Sequence, residues 1–201
     1  MRTATIDSPR ERLLAGLPVA ERRIEAGGLA TALLEGGEGD PVLLLHGPGE
    51  SGVKWGSILP GLTATNRAIA PDLPAHGETE VPAEAPSHEQ VQAWLADLIA
   101  AICEQPPLLV GHVLGGAIAA RFAAEQGEKL AGLVLVDSLG LARFRPAPKF
   151  ALTLFGFLAK PNERSYDRFM DQCSYDLDGL RTQMGERWDP FVAYNLELAA
   201  E

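Results

Sequence analysis

Three short stretches hold the side chains that could do chemistry: His46-Gly47-Pro48-Gly49-Glu50-Ser51, Pro71-Asp72-Leu73-Pro74-Ala75-His76-Gly77 and Gly111-His112-Val113-Leu114-Gly115-Gly116. Each contains a histidine, the side chain whose proton moves most readily near neutral pH. Asp72 and Ser51 lie inside two of the stretches, and Asp137 and Ser138 follow a fourth apolar run. Imidazole, carboxylate and hydroxyl groups are the material of acid–base and nucleophilic chemistry. Metal chemistry is not indicated, because His46, His76, His88 and His112 show no ligand spacing with cysteines or carboxylates.

Each of these stretches follows a short, almost wholly apolar run. Pro41–Leu45, Ala68–Ala70, Leu108–Gly111 and Leu133–Val136 read as strands buried on both faces, as in a parallel sheet covered by helices. Arg23–Ala26, Gly27-Gly28 and Leu29–Leu34 read as a β-hairpin. Between the runs lie helical periods. Val91, Trp94, Leu95, Leu98, Ile99 and Ile102 share a face, with Ser87 as cap and Gln90 three residues later. Ala117, Ile118, Phe122 and Ala124 mark a second helix. Alternating strand and helix predicts an α/β fold, a mostly parallel sheet with helices on both faces and right-handed crossovers. Ligands of such sheets bind at the carboxyl ends of the strands, where the three stretches fall.

The flanks differ. Ser8-Pro9 opens a short capped helix. Beyond Gly140 only helical patterns occur: Arg143, Arg145 and Lys149 lead an apolar helix, Pro161-Asn162 opens another, and Leu177–Met184 and Phe191–Leu198 suggest two more. The organisation read is therefore 1–18, a helix and lead-in; 19–139, an α/β core of six strands; and 140–201, an all-helical lid in which the chain ends without a stop signal.

Composition sets outer bounds. With 201 residues, 46% hydrophobic and 22% charged, the chain can build one good core. A net charge of −10 leaves no basic footprint for nucleic acid. No apolar run is long enough to span a membrane, and charged residues interrupt the N-terminus, so no membrane partner and a cytoplasmic location are expected. Cys103 and Cys173 read as reduced, mostly buried thiols.

The three motifs, in this order and spacing, resemble the capped branch of the α/β-hydrolase superfamily, over about Val19 to Ser138. That resemblance implies a hydrolase of small apolar ester, epoxide or carbon–carbon substrates, with a helical lid after the sixth strand and no cofactor or metal. It makes Gly111-His112-Val113-Leu114-Gly115-Gly116 the nucleophile elbow, whose pattern is G-x-S-x-G. Gly111, Gly115 and Gly116 keep the scaffold, and the Leu114 N–H is the expected oxyanion donor. Val113 stands where the nucleophile belongs, and an isopropyl group cannot attack a carbonyl. The second oxyanion donor should follow His46-Gly47. That residue is Pro48, which has no N–H, and Gly49 substitutes only if the loop shifts by one. The family order places an acid and then a late histidine after the elbow. Asp137 is the candidate acid, with a plain hydrogen-bonding aspartate as the other reading, and no histidine follows His112.

Under the same resemblance His46 holds the oxyanion loop, Asp72 organises the loops beside the elbow, His76 fixes a turn and His112 packs under the elbow. Ser51 and Ser138 read as a helix cap and a loop anchor. Two functional expectations follow: a hydrolase-family protein that is incomplete as written, or a pseudo-hydrolase that binds a small apolar molecule or a partner. The edge of Leu133–Val136, if unpaired, invites self-association. Val113 is expected at positive φ, a strain of about 1–3 kcal/mol for a β-branched residue.

Overall fold

The structure is a computed structural model describing residues 8–200. Contacts divide it into two units, one of residues 16–142 and one that joins the N-terminal residues through Ala15 to the residues from Arg143 onward. The N-terminal helix, expected as a lead-in to the α/β core, thus belongs to the helical unit.

The first unit is built on six strands: β1 (Ala20–Ala26), β2 (Leu29–Gly36), β3 (Pro41–Leu45), β4 (Arg67–Pro71), β5 (Leu108–His112) and β6 (Gly132–Val136). Their order is β1-β2-β4-β3-β5-β6. β1 and β2 form the hairpin, three residues longer at its start than the sequence indicated, and β2 meets β4 antiparallel. The pairs β4–β3, β3–β5 and β5–β6 are parallel. After β3 the chain crosses to β4 on one side, and after β5 it crosses to β6 on the other. The strand order therefore reverses between β3 and β5, and the loops that leave these strands flank the switch point where such sheets bind ligands.

All five residues of β3 are buried, so both faces of the sheet centre are covered. Leu43, Leu45, Ile69 and Leu109 pack with Trp94, Leu95 and Leu98 of helix α3 (His88–Ile102) and with Ala119 and Phe122 of helix α4 (Leu114–Gln126). A capping box starts α3: Ser87 Oγ accepts from Gln90 N–H, and the Gln90 side chain returns the bond. The Trp94 indole N–H, deep in this core, donates to Thr31 Oγ1 at 2.9 Å. A 3-10 turn at Gly52–Ser57 and the short helix α2 (Leu59–Leu62) connect β3 to β4. β6 departs from the buried pattern read in its sequence. It is an edge strand, and Leu133, Val134 and Val136 are 37–42% exposed.

The second unit is helical: α1 (Pro9–Leu14), α5 (Pro148–Ala159), α6 (Glu163–Cys173), α7 (Leu177–Met184) and α8 (Trp188–Leu198). Ser8, Asn162 and Asp176 cap α1, α6 and α7. Arg143 and Arg145 precede α5 rather than lying in its first turn. The unit's core is Phe157, Tyr166 and Val192, with the Phe157 and Phe169 rings stacked at 5.7 Å. Arg10 of α1 is buried and donates to Tyr194 Oη at 2.8 Å, which ties α1 to α8. Neither cysteine is in a disulfide, and Cys173 is exposed, in the last turn of α6, which corrects its reading as buried.

Candidate functional site

The elbow forms because β5 runs into α4 with one residue between them. That residue, Val113, has φ 49° and ψ −102°. For a β-branched side chain this left-handed region is strained by about 1–3 kcal/mol, and the surroundings hold it there. Val113 N–H donates to Val136 O, and Val113 O accepts from the N–H of Ala117 and of Leu139, each at 3.1 Å. Gly115 N–H donates to His46 O at 3.0 Å, tying the elbow to the loop after β3. Only glycine fits at two of these positions. A Cβ on Gly111 would run into the Gly115 carbonyl, and one on Gly115 into the carbonyls of Leu45 and His46. Strand, loop and helix are in backbone contact, so the geometry expected of a nucleophile elbow is present around a residue that is not a nucleophile.

Leu114 opens α4, and its N–H has no hydrogen bond among the described residues. As the first amide of a 13-residue helix it is one of the donors left over at a helix start, and it sits at the positive end of the helix dipole. Pro48, exposed, contributes no donor. Gly49 takes φ 65° at the exposed tip of the loop.

The loop after β3 is held from below by His46, which is fully buried. Leu73 N–H donates to His46 Nε2 at 2.9 Å, so the proton is on Nδ1, which bonds Gly47 O at 2.7 Å. The His76 ring meets His46 edge-on at 5.3 Å, and its Nδ1 bonds Pro74 O within its own turn. Asp72, also fully buried, joins two loops: Oδ1 accepts from Gly52 N–H at 2.6 Å and Oδ2 from Glu78 N–H at 2.9 Å. Ser51 caps the 3-10 turn at Val53, and Ser138 donates to Leu139 O. Asp137 ends β6 at φ 48°, exposed, and its carboxylate has no hydrogen bond or ion pair among the described residues. No histidine is brought to it.

One interaction was missed by sequence reasoning. Glu50 accepts from Gly47 N–H at 2.8 Å, from Lys54 Nζ at 2.6 Å and from His112 Nδ1 at 3.2 Å. Burial alone would raise its pKa. The bond from His112, the Lys54 ammonium and the Gly47 N–H outweigh that and hold it down to about 2. His112 is therefore not simply packed under the elbow. Its side chain is 21% exposed, it stands edge-on to Trp55 at 6.3 Å, and it links the elbow to the loop after β3 through Glu50. The signal available in the sequence was the Glu50/Lys54 spacing on one turn; the partner 62 residues away gave none.

Among the described residues no group of three or more His, Cys, Asp or Glu side chains is placed to hold a metal ion, and no helix is long and apolar enough to cross a membrane. An open depression of about 420 Å³ lies at Glu25–Gly28, Asp97, Ala100 and Ala101, and no residue of the elbow or of the loop after β3 lines it.

Comparison with known proteins bears on this geometry. Residues 40–190 match the family model of the alpha/beta hydrolase fold. The chain is 31% identical over 177 residues to 2-hydroxy-6-oxo-2,4-heptadienoate hydrolase of Pseudomonas putida, covering 82% of this chain and 60% of that protein. It is 31% identical over 169 residues to pimeloyl-[acyl-carrier protein] methyl ester esterase of Aeromonas hydrophila, covering 78% and 65%. Among solved structures, 2-hydroxy-6-oxo-6-phenylhexa-2,4-dienoate hydrolase of Rhodococcus sp. strain RHA1 superposes with a TM-score of 0.79 at 25% identity, over 91% of this chain and 66% of that one. The chain thus spans less than two thirds of the length of these relatives.

Proposed function

The chain belongs to the α/β-hydrolase family, and from that premise we propose that its α/β unit receives a small apolar carbonyl compound at the elbow and binds it without forming an acyl-enzyme there. The observation that carries this reading is Val113 in the nucleophile's place, at φ 49°. The isopropyl group gives the site an apolar floor, and the Leu114 N–H at the start of α4 offers a donor to a carbonyl oxygen. The chain resembles carbon–carbon hydrolases and an esterase, which supports a carbonyl-bearing ligand class.

Hydroxyls near the elbow do not replace the missing nucleophile. Ser51 is 2% exposed and caps a turn, and Ser138 donates to its neighbour's carbonyl. Glu50 and His112 face each other across the oxyanion loop and fix its shape. A second reading, hydrolysis of small ester, epoxide or carbon–carbon substrates, draws on the same relatives and needs a nucleophile or proton relay other than Val113.

The test is a titration with a short-chain p-nitrophenyl ester, followed by thermal shift and by release of p-nitrophenolate. Saturable stabilisation without a burst is the expected result. A burst stoichiometric with protein sinks the binding reading in favour of the hydrolytic one.

A further inference from the structure

Helix α5 has two apolar sides with different surroundings. On one side Phe157 is buried in the helical unit's core, with Phe169 stacked on it. On the other stand Leu152 and Phe155, 74% and 68% exposed, with Leu158 at the margin at 53%. Leu152, Phe155, Gly156 and Ala159 recur at i, i+3, i+4 and i+7 and form one stripe. A Cβ built on Gly156 meets nothing within 4 Å, so the described residues of the helical unit leave this stripe uncovered. Phe144, just ahead of the helix, is as exposed, at 64%. An isolated surface leucine is ordinary; four large apolar side chains within fifteen residues, Phe144, Leu152, Phe155 and Leu158, mark a contact surface.

The charges beside the stripe have one sign. From Ser138 through Asn162 the sequence has Arg143, Arg145, Lys149 and Lys160 and no aspartate or glutamate, in a chain of net charge −10. Lys149 and Lys160 bracket α5. Among the described residues only Lys149 of the four has an acidic partner, Asp171 of α6 at 3.7 Å, and both of those side chains are more than 60% exposed.

We propose that α5 and the stretch leading into it are a docking surface for a bilayer with anionic lipid headgroups, the helix lying along the interface with its exposed stripe in the acyl boundary. An interfacial helix needs an apolar face, flanking cations that reach back to the headgroups and too little length to span, and the 12-residue α5 has all three. A second copy of the chain fits less well. A twofold contact on this stripe would set the same four cations against one another. The chain's acidic remainder does not prevent docking, because charges farther than about 10 Å from the surface are screened at ordinary salt. This proposal departs from the expectation of no membrane partner, which rested on the lack of an apolar run long enough to span.

The experiment uses the full 201-residue chain, sedimented with vesicles of phosphatidylcholine alone and of phosphatidylcholine mixed with phosphatidylglycerol. Sedimentation with the anionic vesicles only, weakening as salt is added, is expected. Each cation contributes about fivefold to such binding, so the double variant Arg143→Gln/Arg145→Gln should bind about thirtyfold more weakly. Phe155→Glu, at an exposed site that leaves the helical circular dichroism unchanged, should abolish binding. Equal behaviour with both vesicle types, or undiminished binding by Phe155→Glu, overturns the proposal. So does a dimer seen by light scattering that Phe155→Glu dissociates while the parent ignores the vesicles, since the stripe would then be a contact between copies.

Discussion

Replacing Glu50 by glutamine isolates what one carboxylate does for the oxyanion loop. The side chain is about one-fifth exposed and accepts from Gly47, Lys54 and His112. Its pKa in the folded chain falls from 4.5 to about 2, which corresponds to about 3 kcal/mol of stability at neutral pH. Because the folded value is the lower one, this contribution is complete above 4.5 and is lost as pH falls toward about 2. Glutamine keeps an oxygen for the Gly47 N–H but loses the charge that faces Lys54 and His112. The variant should therefore be less stable by about 1–3 kcal/mol at neutral pH. In acid the difference should close, since the parent carboxylate is then protonated too. Urea unfolding of both proteins at neutral pH and through the acid range measures this directly. Equal stability at neutral pH, or a deficit that persists undiminished in acid, refutes the reasoning.

Val113→Gly should leave the protein between unchanged and about 1 kcal/mol more stable in the same assay, because relief of about 1–3 kcal/mol of strain offsets the lost half-buried isopropyl and the added freedom of the unfolded chain; a loss above about 2 kcal/mol would show that the backbone there is unstrained. Asp72→Ala strands the N–H groups of Gly52 and Glu78 in a buried place, and a loss of about 3 kcal/mol or more is expected. A variant as stable as its parent would mean that the two loops find other acceptors.

The sheet was legible because its central strands are nearly pure apolar runs, and β3 appears with the bounds read from Pro41–Leu45. Capping boxes at Ser8 and Ser87 fixed two helix starts. The elbow was legible from Gly111 and Gly115, since backbone-to-backbone approach leaves no other residue type. What the sequence did not reveal depends on distant partners. Glu50 reads as an ordinary loop charge until His112 is beside it, and Arg10 reads as a helix-surface cation until Tyr194, 184 residues on, covers it. An open edge at Leu133–Val136 was expected, but not the exposure of β6's side chains, because its composition is that of a strand covered on both faces. Cys173 shares a helical stripe with the buried Tyr166 yet lies exposed in the last turn of α6, where periodicity alone does not tell how far along the helix the covering core extends.

The elbow keeps its shape around a residue whose side chain cannot attack a carbonyl. Intact-protein mass spectrometry after incubation with a fluorophosphonate tests it most directly, because any activated serine in the chain would gain the phosphonyl mass. A single unmodified species is expected, for the parent and for Val113→Ser alike, since a serine at the elbow without a base has no proton acceptor. A stoichiometric adduct on the parent chain, mapped to Ser51, Ser138 or any other residue, would contradict it.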